Sequence, residues 1–200
     1  MLDRRTLLGA GLTAPFVGIR EAEAATALGQ YVVLLGDGTG SAVDTATGFR
    51  LRGGAFDDPA SGVRLFSRFT LPASGTVRYR LTREVIPPTV TSNGVWFNVG
   101  IVWGRNPTIS NRIRLSTYPS RTQLAPREAK ALANFQQGVA NEVVLTWKGR
   151  VVSLAVPTLG AKAKQSWSNV ALKVPATGAR LMFYASFGGD YLVENVRLPA

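Results

Sequence analysis

Between Thr76 and Ile86 the side chains alternate: Val77, Tyr79, Leu81 and Val85 fall on one side, Arg78, Arg80, Thr82 and Glu84 on the other. A period of two marks a half-buried antiparallel strand, whereas the apolar stripe of a helix repeats every three to four residues. Similar short segments follow one another along the chain. Tyr31–Leu35, Val63 to Leu71, Arg112 to Tyr118, Val143 to Trp147, Val151 to Val156, Arg180 to Phe187 and Tyr191 to Leu198 all read as strands. Gly36-Asp37-Gly38, Asp57-Asp58-Pro59, Pro87-Pro88, Lys148-Gly149-Arg150 and Gly188-Gly189-Asp190 supply turns between them. Val95 to Trp103 is apolar on both faces apart from Asn98 and Gly100, which suits a central strand covered on both sides. Only Pro126 to Gln137 reads as helical, with proline first, Glu128 in the first turn and Gly138 just past the end. Ala129, Leu132, Ala133 and Phe135 would give that helix a modest apolar face over a sheet edge or loop. Nine or more short strands and one short helix predict an all-β fold, a single antiparallel β-sandwich.

The first 27 residues are of another kind. Arg4-Arg5 precede the small, apolar run Gly9 to Ile19, and Ala22-Glu23-Ala24-Ala25-Thr26-Ala27 forms an A-x-A-like exit. This is the layout of a cleaved export signal. Adjacent arginines followed by Leu7-Leu8 resemble the twin-arginine type, with Asp3 and Gly9 departing from its usual serine and lysine. Residues 1–27 are therefore expected to be a signal peptide and 28–200 the sandwich domain, periplasmic or secreted. The apolar run is shorter than the roughly 20 residues that span a bilayer, so no integral membrane protein is expected.

Cysteine and histidine are both absent. Disulfides, thiolate or imidazole metal sites, and Ser-His-Asp or Cys-His chemistry are excluded with them. The net charge is +11, and of the 23 basic residues 18 are Arg and 5 Lys. Guanidinium groups match carboxylate, sulfate or phosphate in a two-pronged geometry. A codon bias toward arginine would give the same count. Export argues against nucleic acid, which leaves polysaccharide or another anionic envelope glycan as the partner.

Three segments carry a family resemblance. Phe66-Ser67-Arg68-Phe69 precedes a long alternating strand, Asn141 to Leu154 places Trp147 before a tight turn, and Tyr191 to Leu198 reads as a closing strand. Together they resemble the concanavalin A-like jelly roll of lectins, glucanases and laminin G domains, from about residue 45 onward. The resemblance implies carbohydrate binding or cleavage. Pro157-Thr158 departs from it, standing where an Asp-Gly pair is expected. The glucanases of the family carry E-x-D-x-x-E on one strand, which is missing, and the alginate lyases use a histidine, which is also missing. An enzyme with an unrecognised site, requiring Glu84 or Glu142 to find an acidic or tyrosine neighbour in a cleft, therefore stands second. An envelope structural or interaction protein stands third.

Arg78 and Arg80 share one strand face, as do Arg112 and Arg114, and as do Arg64 and Arg68. Side by side on one sheet they would form a guanidinium grid for an acidic glycan. The alternative is ordinary solvated faces spread over both sheets. Trp96, Trp103 and Trp147 lie in apolar strands and read as core. Trp167, in the polar stretch Lys164 to Asn169, reads as an exposed residue that stacks on a sugar ring. No cofactor is expected. Asp37, Asp44, Asp57 and Asp58 could supply oxygens to Ca²⁺, although their spacing fits no EF-hand loop.

Overall fold

The computed structural model describes residues 27–36, 39–54, 62–85, 97–102, 112–117, 122–125, 130–133, 135–149, 151–168, 179–186 and 188–198. Residues 1–26 of the expected signal peptide, and Trp96, Trp103, Asp37, Asp57 and Asp58, lie outside them. A 3₁₀ turn, Ala27–Gln30, leads into β1 (Tyr31–Leu35), β2 (Ser41–Thr45), β3 (Gly48–Arg52), β4 (Val63–Ser67) and β5 (Ser74–Val85). Then come β6 (Phe97–Val102), β7 (Arg112–Thr117), β8 (Thr122–Ala125), β9 (Lys130–Leu132) and β10 (Ala140–Lys148). β11 (Val151–Ala155), β12 (Lys164–Ser168), β13 (Arg180–Ala185) and β14 (Asp190–Arg197) complete the chain.

These strands form two seven-stranded sheets, ordered β1-β4-β13-β6-β7-β8-β9 and β12-β11-β10-β5-β14-β3-β2, with antiparallel pairing throughout. The antiparallel β-sandwich expected from the alternation is the fold. β10 and β11 close a tight hairpin in which Lys148 pairs with Val151, and Gly149 takes the positive φ of 55° that such a turn needs. β6 occupies the fourth of seven positions in its sheet, the central placement its two-sided apolar pattern suggested.

Alternation sends one residue in two into the space between the sheets. Phe183 of β13 lies at the centre, with ring centroids 5.2 Å from Phe49, 5.4 Å from Tyr79 and 5.7 Å from Tyr31. Trp147 is core, as expected, and its Nε1 donates to the Pro72 carbonyl at 2.6 Å. The buried Tyr31 and Tyr79 hydroxyls have no hydrogen-bond partner, and burial raises both pKa values. In the unfolded chain these phenols ionise near pH 10, while the folded state keeps them protonated to higher pH. Their contribution is therefore neutral below about pH 10 and destabilising above it. Tyr31→Phe combined with Tyr79→Phe is expected to flatten the fall of stability above that pH, followed by urea denaturation at several alkaline pH values.

Three expectations are corrected. Lys130–Leu132 lies in the expected helix, yet it forms an edge strand whose Ala131 pairs with Gln123 of β8. The free edge of β8 satisfies the backbone N–H and C=O groups there, and a modest apolar face does not outweigh that. Residues 126–129 lie outside the described residues, and Phe135 is buried in the core. The expected inward position of Val85 is instead exposed, and the fully buried member of this part of β5 is Arg83. A register irregularity on β14 between Asp190 and Tyr191 sets Tyr191 against Arg83 and Asp190 against Val85.

Trp167 is the third correction. It pairs with Val152 and is only 6% exposed, so it belongs to the core and cannot stack on a sugar. The stretch Lys164 to Ser168 alternates too, with Ser166 exposed and Trp167 buried. Its indole Nε1 is buried without a partner. Trp167→Phe removes that unsatisfied donor and is expected to leave stability within about 1 kcal/mol of wild type and glycan binding unchanged. Parallel chemical denaturation and binding titration check both.

Candidate functional site

The two pairs of arginines do not meet. Arg78 and Arg80 lie on β5, whose neighbours β10 and β14 belong to the second sheet, while Arg112 and Arg114 lie on β7 of the first sheet. The two pairs therefore do not form the single grid: they stand on strands of different sheets.

On the first sheet the register builds a face strand by strand. One row runs Arg64, Tyr184, Asn98, Ser116, Gln123 and Ala131 across β4, β13, β6, β7, β8 and β9. The next runs Phe66, Met182, Gly100, Arg114 and Ala125, and a third runs Arg180, Val102 and Arg112. Leu65, Phe183 and Leu115, on the alternate positions, are buried in the main core, so Arg64, Phe66, Arg180, Met182 and Tyr184 occupy the opposite, outer side. Phe66, Met182 and Tyr184 form a separate small buried cluster there. The Arg64 guanidinium carbon lies 5.3 Å above the centroid of the Tyr184 ring, a cation–π stack on the surface of that cluster. Arg64 and Arg180 are exposed, and Arg68, also exposed, donates from Nε to the Gly29 carbonyl at 3.2 Å.

The two sheets differ in charge. The seven strands of the first sheet carry Arg64, Arg112, Arg114, Lys130 and Arg180 and contain no Asp or Glu. Every strand carboxylate, Asp44, Glu84, Glu142, Asp190 and Glu194, lies in the second sheet, beside its cations. There Arg50 grips the buried Asp190 with two hydrogen bonds of 2.7 Å, and this pairing raises the Arg50 pKa. Arg78 meets Glu142 at 3.3 Å, and Arg80 stands in register between Glu142 and Glu194. The five carboxylates of the second sheet offset part of the charge of its eight strand cations. The first has no strand carboxylate to do so.

The second sheet still holds a groove of about 630 Å³ lined by Arg78, Arg80, Arg197, Glu142, Thr158 and Asn195. Arg197 was not singled out from the sequence. It reaches the groove because β14 breaks register between Glu194 and Arg197, where Asn195 takes a positive φ of 51°. A hollow of about 270 Å³ is lined by Glu84, Glu194 and Arg50 among others; Glu194 pairs with Arg80, four residues from Glu84 along β5, so the two carboxylates are not adjacent. The Glu194 carboxylate there accepts a 2.7 Å hydrogen bond from Thr47. Glu142 lines the groove together with Tyr79, whose ring is in the core.

Of the calcium candidates only Asp44 is described, and its Oδ1 accepts a 2.8 Å hydrogen bond from the Leu28 amide. Among the described residues no group of three or more carboxylates could hold a metal ion, and no helix is long and apolar enough to cross a membrane.

No family model matches the chain, and no curated protein matches it either. Solved structures do. A protein described as a sialidase superposes with a TM-score of 0.62 at 13% identity over 86% of this chain, which spans 17% of that protein. The transglycosylase Crh5 in complex with NAG gives 0.57 at 10% identity, over 88% of this chain and 80% of the other. A carbohydrate-binding module from Bacillus subtilis gives 0.54 at 10% identity, over 86% and 96%. At these identities the likeness is one of fold: the chain shares the two-sheet sandwich of these proteins.

Proposed function

We propose that this chain is an exported, non-catalytic carbohydrate-binding β-sandwich that holds an acidic polysaccharide on the outer face of its first sheet. The observation that carries the reading is the charge asymmetry: Arg64, Arg112, Arg114 and Arg180 all lie on strands of one sheet, and those strands contain no carboxylate. Like charges clustered on a sheet cost stability, and an anionic chain laid across the strands removes that cost. Arg64 over Tyr184 supplies a flat, cationic stacking surface, and Asn98, Ser116 and Gln123 stand in the same row. That carbohydrate-binding and glycan-active proteins share the fold supports the ligand class. Export rests on Arg4-Arg5, the apolar run and the alanine-rich exit. Binding to an array of acidic and neutral glycans at low and high salt tests the reading. Salt-sensitive retention of acidic members is expected, and the absence of any such member overturns it.

A second reading, polysaccharide cleavage, would need the Tyr184 phenol beneath the Arg64 guanidinium, or a carboxylate of the hollow lined by Glu84 and Glu194, to reach the substrate. It predicts new chain ends on incubation with the bound polysaccharide. Loss of that activity in Tyr184→Phe places the chemistry on the first sheet, and loss in Glu194→Gln places it in the hollow.

A further inference from the structure

We infer that the groove on the second sheet is a second, independent oxyanion site, so that one molecule holds two acidic glycan chains, one on each side. The inference takes its ligand class from the reading above and adds a site and a bridging function. Three features of the groove support it. Arg78 and Arg197 stand directly opposite each other on β5 and β14, an unfavourable like-charge pair. The register break that brings Arg197 there carries a non-glycine residue at positive φ, Asn195, and both bulges and such backbone outliers concentrate at functional sites. Among the described residues that line the groove, Glu142 is the only carboxylate beside three arginines.

Arg78 already holds Glu142 at 3.3 Å across an exposed pair, while Arg80 and Arg197 make no ion pair among the described residues. Their donors are free for the carboxylate or sulfate oxygens of a sugar, and Thr158 and Asn195 line the same space. The groove opens on the outer face of the second sheet and the Arg64 face on the outer side of the first, with both sheets' inner faces between them. Two chains bound there cannot touch, and a long polymer binding many molecules becomes cross-linked.

The test uses the full chain, a uronic acid tetramer and a sulfated tetramer in separate calorimetric titrations, and the long parent polymers in a turbidity assay. Wild type is expected to bind two tetramers per molecule and to cloud the polymer solution. Arg78→Gln with Arg197→Gln is expected to bind one and to leave the solution clear, with an unchanged or higher Tm because the like-charge pair is gone. Arg64→Gln with Arg114→Gln is expected to lose the other tetramer. One tetramer per wild-type molecule that the Arg78/Arg197 variant still binds, or an unaltered stoichiometry of two in that variant, overturns the second site and leaves the first standing. Loss confined to the Arg78/Arg197 variant overturns the first-sheet reading instead. No binding by wild type overturns both.

Discussion

Changing Arg64, Arg112, Arg114 and Arg180 together to glutamine is expected to weaken binding of an acidic tetramer to the first sheet about a thousandfold at low ionic strength, leaving the groove of the second sheet with its own tetramer. Each cation next to an anionic surface contributes about 1 kcal/mol, and four such contributions amount to about 4 kcal/mol. The effect arises because no strand carboxylate of the first sheet neutralises these groups. The same change in the second sheet would act differently, since Arg50 is already committed to Asp190 and Arg78 to Glu142. The quadruple variant should fold as well as wild type, because it removes like charges from one sheet. Calorimetric titration together with circular dichroism separates lost affinity from lost structure.

Phe183→Ala is expected to lower the free energy of unfolding by about 4 kcal/mol. Phe183 is fully buried and contacts Tyr31, Phe49 and Tyr79 edge-on, so the cavity lies where both sheets meet. A domain of this size is stable by only about 5–15 kcal/mol, and the loss should be visible as a large shift of the urea midpoint. Phe183 also separates Met182 and Tyr184, which point to the outer cluster beneath Arg64. Loosening it is expected to weaken glycan binding as well, although no guanidinium has been removed.

The fold was legible wherever alternation ran long enough. β1 spans the same five residues in sequence and structure, and the β10–β11 hairpin could be read from Gly149. β2 was missed because none of its five residues is buried, and β3 because Phe49 and Leu51 are its only large apolar residues. β12 was missed because Lys, Gln and Ser outnumber its one buried aromatic residue, and the same polarity suggested an exposed Trp167. Arg83 was passed over because a buried arginine contradicts the pattern its neighbours set. The arginines themselves were legible as candidates. Their division between two sheets was not, because it depends on which strands pair. β5 joins β10 and β14, and β7 joins β6 and β8, long-range choices that no local spacing encodes.

The measurement that bears most directly on charge recognition compares an acidic polysaccharide with the same polymer after its carboxylates are reduced to alcohols. Chain length, linkage and stacking surface stay the same, and only the charge is removed. Binding at low salt is expected for the acidic polymer, weakening steeply as salt rises, and no measurable binding for the reduced one. Equal affinity for the two polymers, independent of salt, would contradict the account.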